Sequence, residues 1–225
     1  MRKLFLIVFC LTGLSAFAPA KLAAQKGELA PGAIENFQAL LDKPAFVQPT
    51  KAVAMGKSWF KMETDAHVFT GEVSVRQVAA VLLDLDNQSK YFQGRKNKLN
   101  ATVVQKNPGE TIVDFVTITP ALGIQVKTPY KAAVKTLQNS ETVISTEIRQ
   151  LDSDNASNNH LKNLLTIRYA QAVAIDGKDY TYIRLYSRQE ANASVLPGAR
   201  GILENTADAA NIESLQLLIT AAKTK

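Results

Sequence analysis

Lys178-Asp-Tyr-Thr-Tyr-Ile-Arg-Leu-Tyr-Ser-Arg188 runs directly into Gln189-Glu-Ala-Asn-Ala-Ser-Val-Leu-Pro-Gly198, and an amphipathic stretch then continues to the C-terminus. In the first segment Tyr180, Tyr182, Arg184, Tyr186 and Arg188 alternate with Thr181, Ile183, Leu185 and Ser187, the period-two pattern of a strand. In the last, Leu203, Ala207, Ala210, Leu217 and Ala221 recur at helical spacing. A long terminal helix after antiparallel strands predicts a sheet wrapped around one helix. Alanines on the inner helix face leave space that leucines would fill. A cavity between the layers is therefore expected, and function would lie in what fills it.

Further strands are read upstream. From Ser58, the residues Phe60, Met62, Thr64, Ala66 and Val68 alternate with polar neighbours, which predicts a half-buried antiparallel strand. Ser74 is an N-cap candidate before Val75, Val78, Ala79, Leu82 and Leu83 on one helical face, and Ser89 to Phe92 suggests a second short helix. Strands follow at 99–106, 111–119, 124–137, 142–151, 164–174 and 179–188, with turns at Asn107-Pro-Gly109 and Asp176-Gly177. Pro129 argues for an edge position or a bulge in the long 124–137 strand. The resulting fold class is α+β, with a seven-stranded curved antiparallel sheet around the C-terminal helix and two short helices after strand 1.

The N-terminus reads as a secretory signal. Arg2 and Lys3 precede the apolar run Leu4 to Phe17, and small residues follow, so cleavage is placed near Ala20 and export to the periplasm or medium is expected. Residues 21–57 form a leader in which Ala33, Ile34, Phe37, Leu40 and Leu41 predict a short docked amphipathic helix. Residues 58–225 form the main domain. Cys10 is the only cysteine and would leave with the signal, so thiol chemistry and cysteine metal sites are excluded. His67 and His160 are the only imidazoles and read as surface residues, which leaves little for a metal cluster or a hydrolytic triad. No cofactor or metal is expected. The formal charge of +6 falls by two when Arg2 and Lys3 leave, a mild basic bias that carries no nucleic-acid role.

The order strand, two helices, six strands and long helix resembles the START-like helix-grip superfamily of lipid-transfer domains, polyketide cyclases and coenzyme Q-binding proteins. Two stretches carry the resemblance: Phe69 to Asp84 continuing to Tyr91-Phe92, and Ala191-Asn-Ala-Ser-Val-Leu-Pro197 before the final helix. The match covers about residues 58–225. Thr128-Pro-Tyr-Lys-Ala-Ala133 lacks the Arg-Asp pair of many lipid-transfer members, so the resemblance names no particular ligand class. It implies an interior that binds a hydrophobic small molecule such as a lipid, sterol, quinone or polyketide; a monomer is expected.

Strand parity and helix spacing nominate Met62, Thr64, Asp114, Tyr130, Ile144, Ile183, Leu185, Leu203, Ala207 and Ala210 as ligand-lining residues. The aliphatic face of 179–188 is taken as internal, and the Tyr/Arg face as an outer surface with cation–π contacts. Asp114 shares a strand face with Ile112, Val116 and Ile118, where it could orient a ligand or act as an acid; if Val113 and Phe115 point inward instead, it is solvated. Lys90, Arg95, Lys96 and Lys98 offer a peripheral membrane contact or simply a solvated loop. Three functions remain open at this stage. One is a hydrophobic-ligand carrier, one a cyclase-type enzyme using Asp114 or a pocket tyrosine, and one a partner-binding domain with a filled core.

Overall fold

The computed structural model describes residues 29–56, 58–121, 124–152, 161–193 and 198–225. The expected signal segment, His160 with its polar loop, and the Leu196-Pro197 step lie outside them.

Nine strands form one antiparallel sheet: β1 (Ala45–Phe46), β2 (Lys51–Ala54), β3 (Trp59–Thr70), β4 (Lys98–Asn107), β5 (Glu110–Ala121), β6 (Ile124–Asn139), β7 (Val143–Gln150), β8 (Leu161–Ile175) and β9 (Lys178–Asn192). Their order is β1-β3-β9-β8-β7-β6-β5-β4, with β2 also pairing on β3. The seven long strands are those expected from the sequence. The two additional ones come from the leader, whose short extended pieces pair along the free edge of β3 at Ala45↔His67 and Lys51↔Glu63.

The turns follow from local chemistry. Asp176 and Gly177 both hold positive φ, 51° and 74°, as a two-residue hairpin turn with right-handed strand twist requires. Pro108 and Gly109 (φ 83°) join β4 to β5, with proline presetting the first turn residue and glycine tolerating the second. Pro129 lies where β6 overhangs β7, before their first pair at Ala132↔Gln150, so its missing N–H breaks no ladder on that side.

Among the described residues four α-helices accompany the sheet, α1 (Phe37–Leu40), α2 (Val75–Leu83), α3 (Gln88–Tyr91) and α4 (Ala199–Ala222), with a 3-10 turn at Leu85–Asn87 between α2 and α3. Ser74 caps α2 in a reciprocal box, its Oγ accepting from the Gln77 N–H at 3.3 Å while Gln77 Oε1 accepts from the Ser74 N–H at 2.9 Å. The leader helix is only one turn long. Residues 31–36 form turns instead, with Gly32 at φ 79° and the Asn36 side chain donating back to the Gly32 carbonyl at 2.7 Å.

The 24-residue α4, about 36 Å long at 1.5 Å per residue, touches β2, β3 and β9 on one side and β5 on the other. Elements so far apart in strand order meet one helix only because the sheet curls around it. The C-terminal half of α4 and helix α2 fill one end of this grip. Val78, Leu82, Leu215, Leu218 and Ile219 pack there into one cluster with Ile144 and Ile183. The N-terminal half of α4 lies over the other end with less buried side chains.

The outer face is also covered. Residues 29–47 lie across β3, β8 and β9, where Ala30, Ala33, Phe37 and Leu40 bury Phe69, Tyr169 and Tyr182. Phe37 meets Phe69 and Tyr180 edge-on at 5.2 and 5.0 Å. The tyrosine face of β9 is therefore a second buried layer and not the outer surface expected from alternation.

Candidate functional site

A cavity of about 290 Å³ lies between the sheet and the N-terminal half of α4. Its helix wall is built from Leu203, Ala207, Ala210, Ser214 and Leu218, one stripe at spacings of three and four. Two alanines and a serine where a packed helix would carry leucines keep the helix face low. Its sheet wall comes from the inward parity of the long strands, with Met62 on β3, Leu164, Thr166 and Arg168 on β8, and Leu185 and Ser187 on β9. On β5 and β6 the wall is Thr117, Thr119, Val126, Thr128 and Tyr130. Asn97 and Leu99 close the β4 side, beside Phe92.

Of the residues nominated from sequence, Met62, Tyr130, Leu185, Leu203, Ala207 and Ala210 border this cavity. Thr64 lies behind it, its Oγ1 accepting from Asn211 Nδ2 at 2.9 Å. Ile144 and Ile183 have the inward parity but sit in the end of the grip that α2 plugs, fully buried in packed core. Asp114 points away from the interior. Val113 and Phe115 take the inward positions, and the half-exposed Asp114 carboxylate lies 3.8 Å from Lys131 Nζ. The apolar residues sharing its side, Ile112, Val116 and Ile118, are only partly buried. Nothing there sequesters a carboxylate from water.

Arg168 is the residue that strand alternation could have found and did not. It occupies the inward face of β8 between Thr166 and Ala170, and Nη1 donates to Gln88 Oε1 at 2.8 Å. Its guanidinium lies 4.9 Å from the centre of the Phe92 ring. Burial lowers its pKa to about 10, opposed by the neighbouring Tyr130, so it stays cationic at neutral pH. Burial raises the Tyr130 hydroxyl, which remains a neutral donor.

A second buried polar group lies on the opposite face of the sheet. Arg184 is 2% exposed and grips Asp65 with two hydrogen bonds, Nε to Oδ1 at 2.7 Å and Nη2 to Oδ2 at 2.5 Å. His67, expected on the surface, is fully buried. Its Nδ1 lies 2.8 Å from the Tyr182 hydroxyl and its Nε2 lies 3.4 Å from Asp65 Oδ1. The outward parity of His67 was legible; the leader that covers it was not. Burial pushes the His67 imidazole down to about 4, with Asp65 opposing and Arg184 adding to the effect. The same burial raises the Tyr182 hydroxyl, which also accepts from the Ala30 N–H at 3.4 Å. An Asp-His-Tyr chain is an acid–base arrangement in principle, but this one borders no cavity and ends under the leader. It ties the leader to the sheet.

The basic residues Arg95 and Lys96 are exposed, on a loop whose backbone is fixed by Glu213 of α4. The Glu213 carboxylate accepts from the N–H groups of Arg95, Lys96 and Asn97 at 2.6–2.7 Å. Among the described residues no three His, Asp or Glu side chains lie close enough to hold a metal ion. No described helix is long and apolar enough to cross a membrane.

No protein-family model matches the sequence, and no curated protein matches it. Solved structures do. A STAR-related lipid transfer protein from Xanthomonas axonopodis aligns over 78% of this chain and 99% of its own, with a TM-score of 0.52 and 9% identity. Human STARD10 aligns over 77% of this chain and 73% of its own, with a TM-score of 0.50 and 7% identity. Both have the START-type helix-grip fold, and this chain shares it. At such identities the likeness concerns the fold and extends to no residue of the site.

Proposed function

We propose that the protein binds and carries a hydrophobic small molecule between the sheet and α4, without catalysing a reaction on it. The observation that carries this reading is the cavity itself. Its floor is aliphatic, its helix wall is kept low by Ala207 and Ala210, and its hydroxyl groups gather on β5 and β6. A packed core would have larger residues at those helix positions. The likeness to a lipid transfer protein supports the reading at the level of fold.

Catalysis is the weaker reading because Asp114 lies outside the cavity, no other Asp or Glu among the described residues borders it, and burial keeps the pocket tyrosine, Tyr130, protonated and so unsuited to act as a base. The N-terminal pattern of Arg2, Lys3 and the apolar run to Phe17 supports export and cleavage near Ala20, so the mature carrier would act as a monomer in the periplasm or medium. The exposed Arg95 and Lys96 beside the cavity residue Asn97 suit transient contact with anionic headgroups during loading.

Organic extraction of protein purified from the periplasm, followed by mass spectrometry, tests the proposal. A hydrophobic species released at close to one per chain supports it. Protein that releases none, and that takes up no long-chain alcohol in titration, refutes it.

A further inference from the structure

The cavity carries an unbalanced charge. Of the two arginines at its border only Arg168 turns its side chain inward; the Arg184 guanidinium lies on the opposite face of the sheet. Arg184 is neutralised by Asp65 on the far face of the sheet. Among the described residues Arg168 has no carboxylate partner, and no Asp or Glu lines the cavity. A guanidinium deep in a fold without a counter-ion is costly, and such charges are normally paired.

The surroundings of Arg168 orient it without neutralising it. Gln88 is fully buried, and its Nε2 donates to the Val81 carbonyl at 2.8 Å. That bond fixes the amide so that Oε1 faces Arg168 Nη1. Phe92 supports the guanidinium plane. Of the five N–H donors on an arginine, the one bond to Gln88 leaves most of the fork for a ligand. Tyr130, stacked on Phe115 at 5.3 Å, lies within reach of the Arg168 charge, and its hydroxyl has no hydrogen-bond partner among the described residues. A fixed cation and a free hydroxyl donor thus occupy the end toward α2 and α3. Leu164, Leu185, Met62 and Leu203 lead away from them under α4.

We infer that the ligand is a single-chain amphiphile with a monoanionic oxyanion head, bound by Arg168 and the Tyr130 hydroxyl while its chain runs under the N-terminal half of α4. This rests on the carrier reading and names its ligand class. One uncompensated cation matches one negative charge; a phosphate monoester, at about −1.5 to −2, would overshoot it. A cavity of about 290 Å³ is at the small end for ligand sites, roughly 300–1,000 Å³, and suits one acyl chain better than two. A fatty-acid carboxylate and the phosphodiester of a lysophospholipid share this chemistry.

The test is displacement of an apolar fluorescent probe from the full mature chain at neutral pH by tetradecanoate, tetradecanol and myristoyl-lysophosphatidylglycerol. At least one of the two anions should compete about 10- to 100-fold better than the alcohol, the size of a charge-assisted hydrogen-bond pair. Whichever anion does so identifies the head. Arg168→Gln should lower that preference by tenfold or more, and Gln88→Met, which frees the guanidinium, should lower it severalfold. Equal competition by the alcohol and both anions in the unmodified protein overturns the inference and leaves the carrier reading standing. Competition by none of the three overturns both.

Discussion

Replacing Ala207 and Ala210 together by leucine should make the protein slightly more stable and abolish its ligand binding. The two side chains lie three residues apart on α4 and both face the cavity. The six added carbons, each displacing about the ~30 Å³ of a water molecule, occupy roughly 180 Å³, more than half of a cavity of about 290 Å³. Full burial of six carbons would be worth about 5 kcal/mol at ~0.8 kcal/mol each. Both alanines are only half-buried, which about halves that figure. Ordering two leucine side chains costs about 0.5–1 kcal/mol each. The expected net gain is about 1 kcal/mol, read as a higher urea midpoint at unchanged slope for the ligand-free protein. Probe binding should fall by more than tenfold in the same preparation. A loss of 2 kcal/mol or more would mean that the leucines collide with an already filled interior. That result, with probe binding retained, would refute the reasoning.

Other expectations concern the opposite face of the sheet and the β5 surface. Asp65→Ala removes the carboxylate that neutralises the buried Arg184, and should cost about 3 kcal/mol; a double change to Asp65→Leu with Arg184→Met should recover most of it, both read by urea denaturation. His67 is held near pKa 4 in the fold against an ordinary 6.5, so the unfolded chain binds the extra proton between those values. Its contribution is complete above about pH 6.5 and is lost as pH falls toward 4, a change of about 3 kcal/mol that His67→Gln should remove from the stability–pH curve. Asp114→Asn should leave stability within about 0.5 kcal/mol and ligand binding unaltered, because it faces solvent and Lys131; a tenfold loss of binding would restore an interior role for it.

Strand periodicity revealed most of this architecture. Period-two alternation marked all seven long strands, the Asp176-Gly177 and Pro108-Gly109 turns set their hairpins, and Ser74 marked the start of α2. Two things were out of reach. The first was the leader. Ala45–Phe46 and Lys51–Ala54 are too short for periodicity, and they become strands only because β3 offers a free edge. That one omission also misplaced His67 and the tyrosines of β9, whose outward parity is real but whose outer side is covered. The second was the division of the interior. Ile144 and Ile183 have the same inward parity as Ile148 and Leu185, yet α2 closes over the former pair and leaves the latter at the cavity. Parity gives the face of a sheet and is silent on what lies above it. Asp114 shows a related limit: two apolar sets on alternate faces of β5 left its direction ambiguous, and the larger buried side chain, Phe115, decided it. Arg168 was legible in principle as a charge between Thr166 and Ala170 on an inward face.

The most direct test of the central claim is native mass spectrometry of the protein mixed with equimolar tetradecanoate and tetradecanol. The expected result is a one-to-one complex with the unmodified protein that disappears when Ala207 and Ala210 are both leucine. No complex with the unmodified protein, or the same complex with the leucine variant, would contradict a ligand cavity beneath α4.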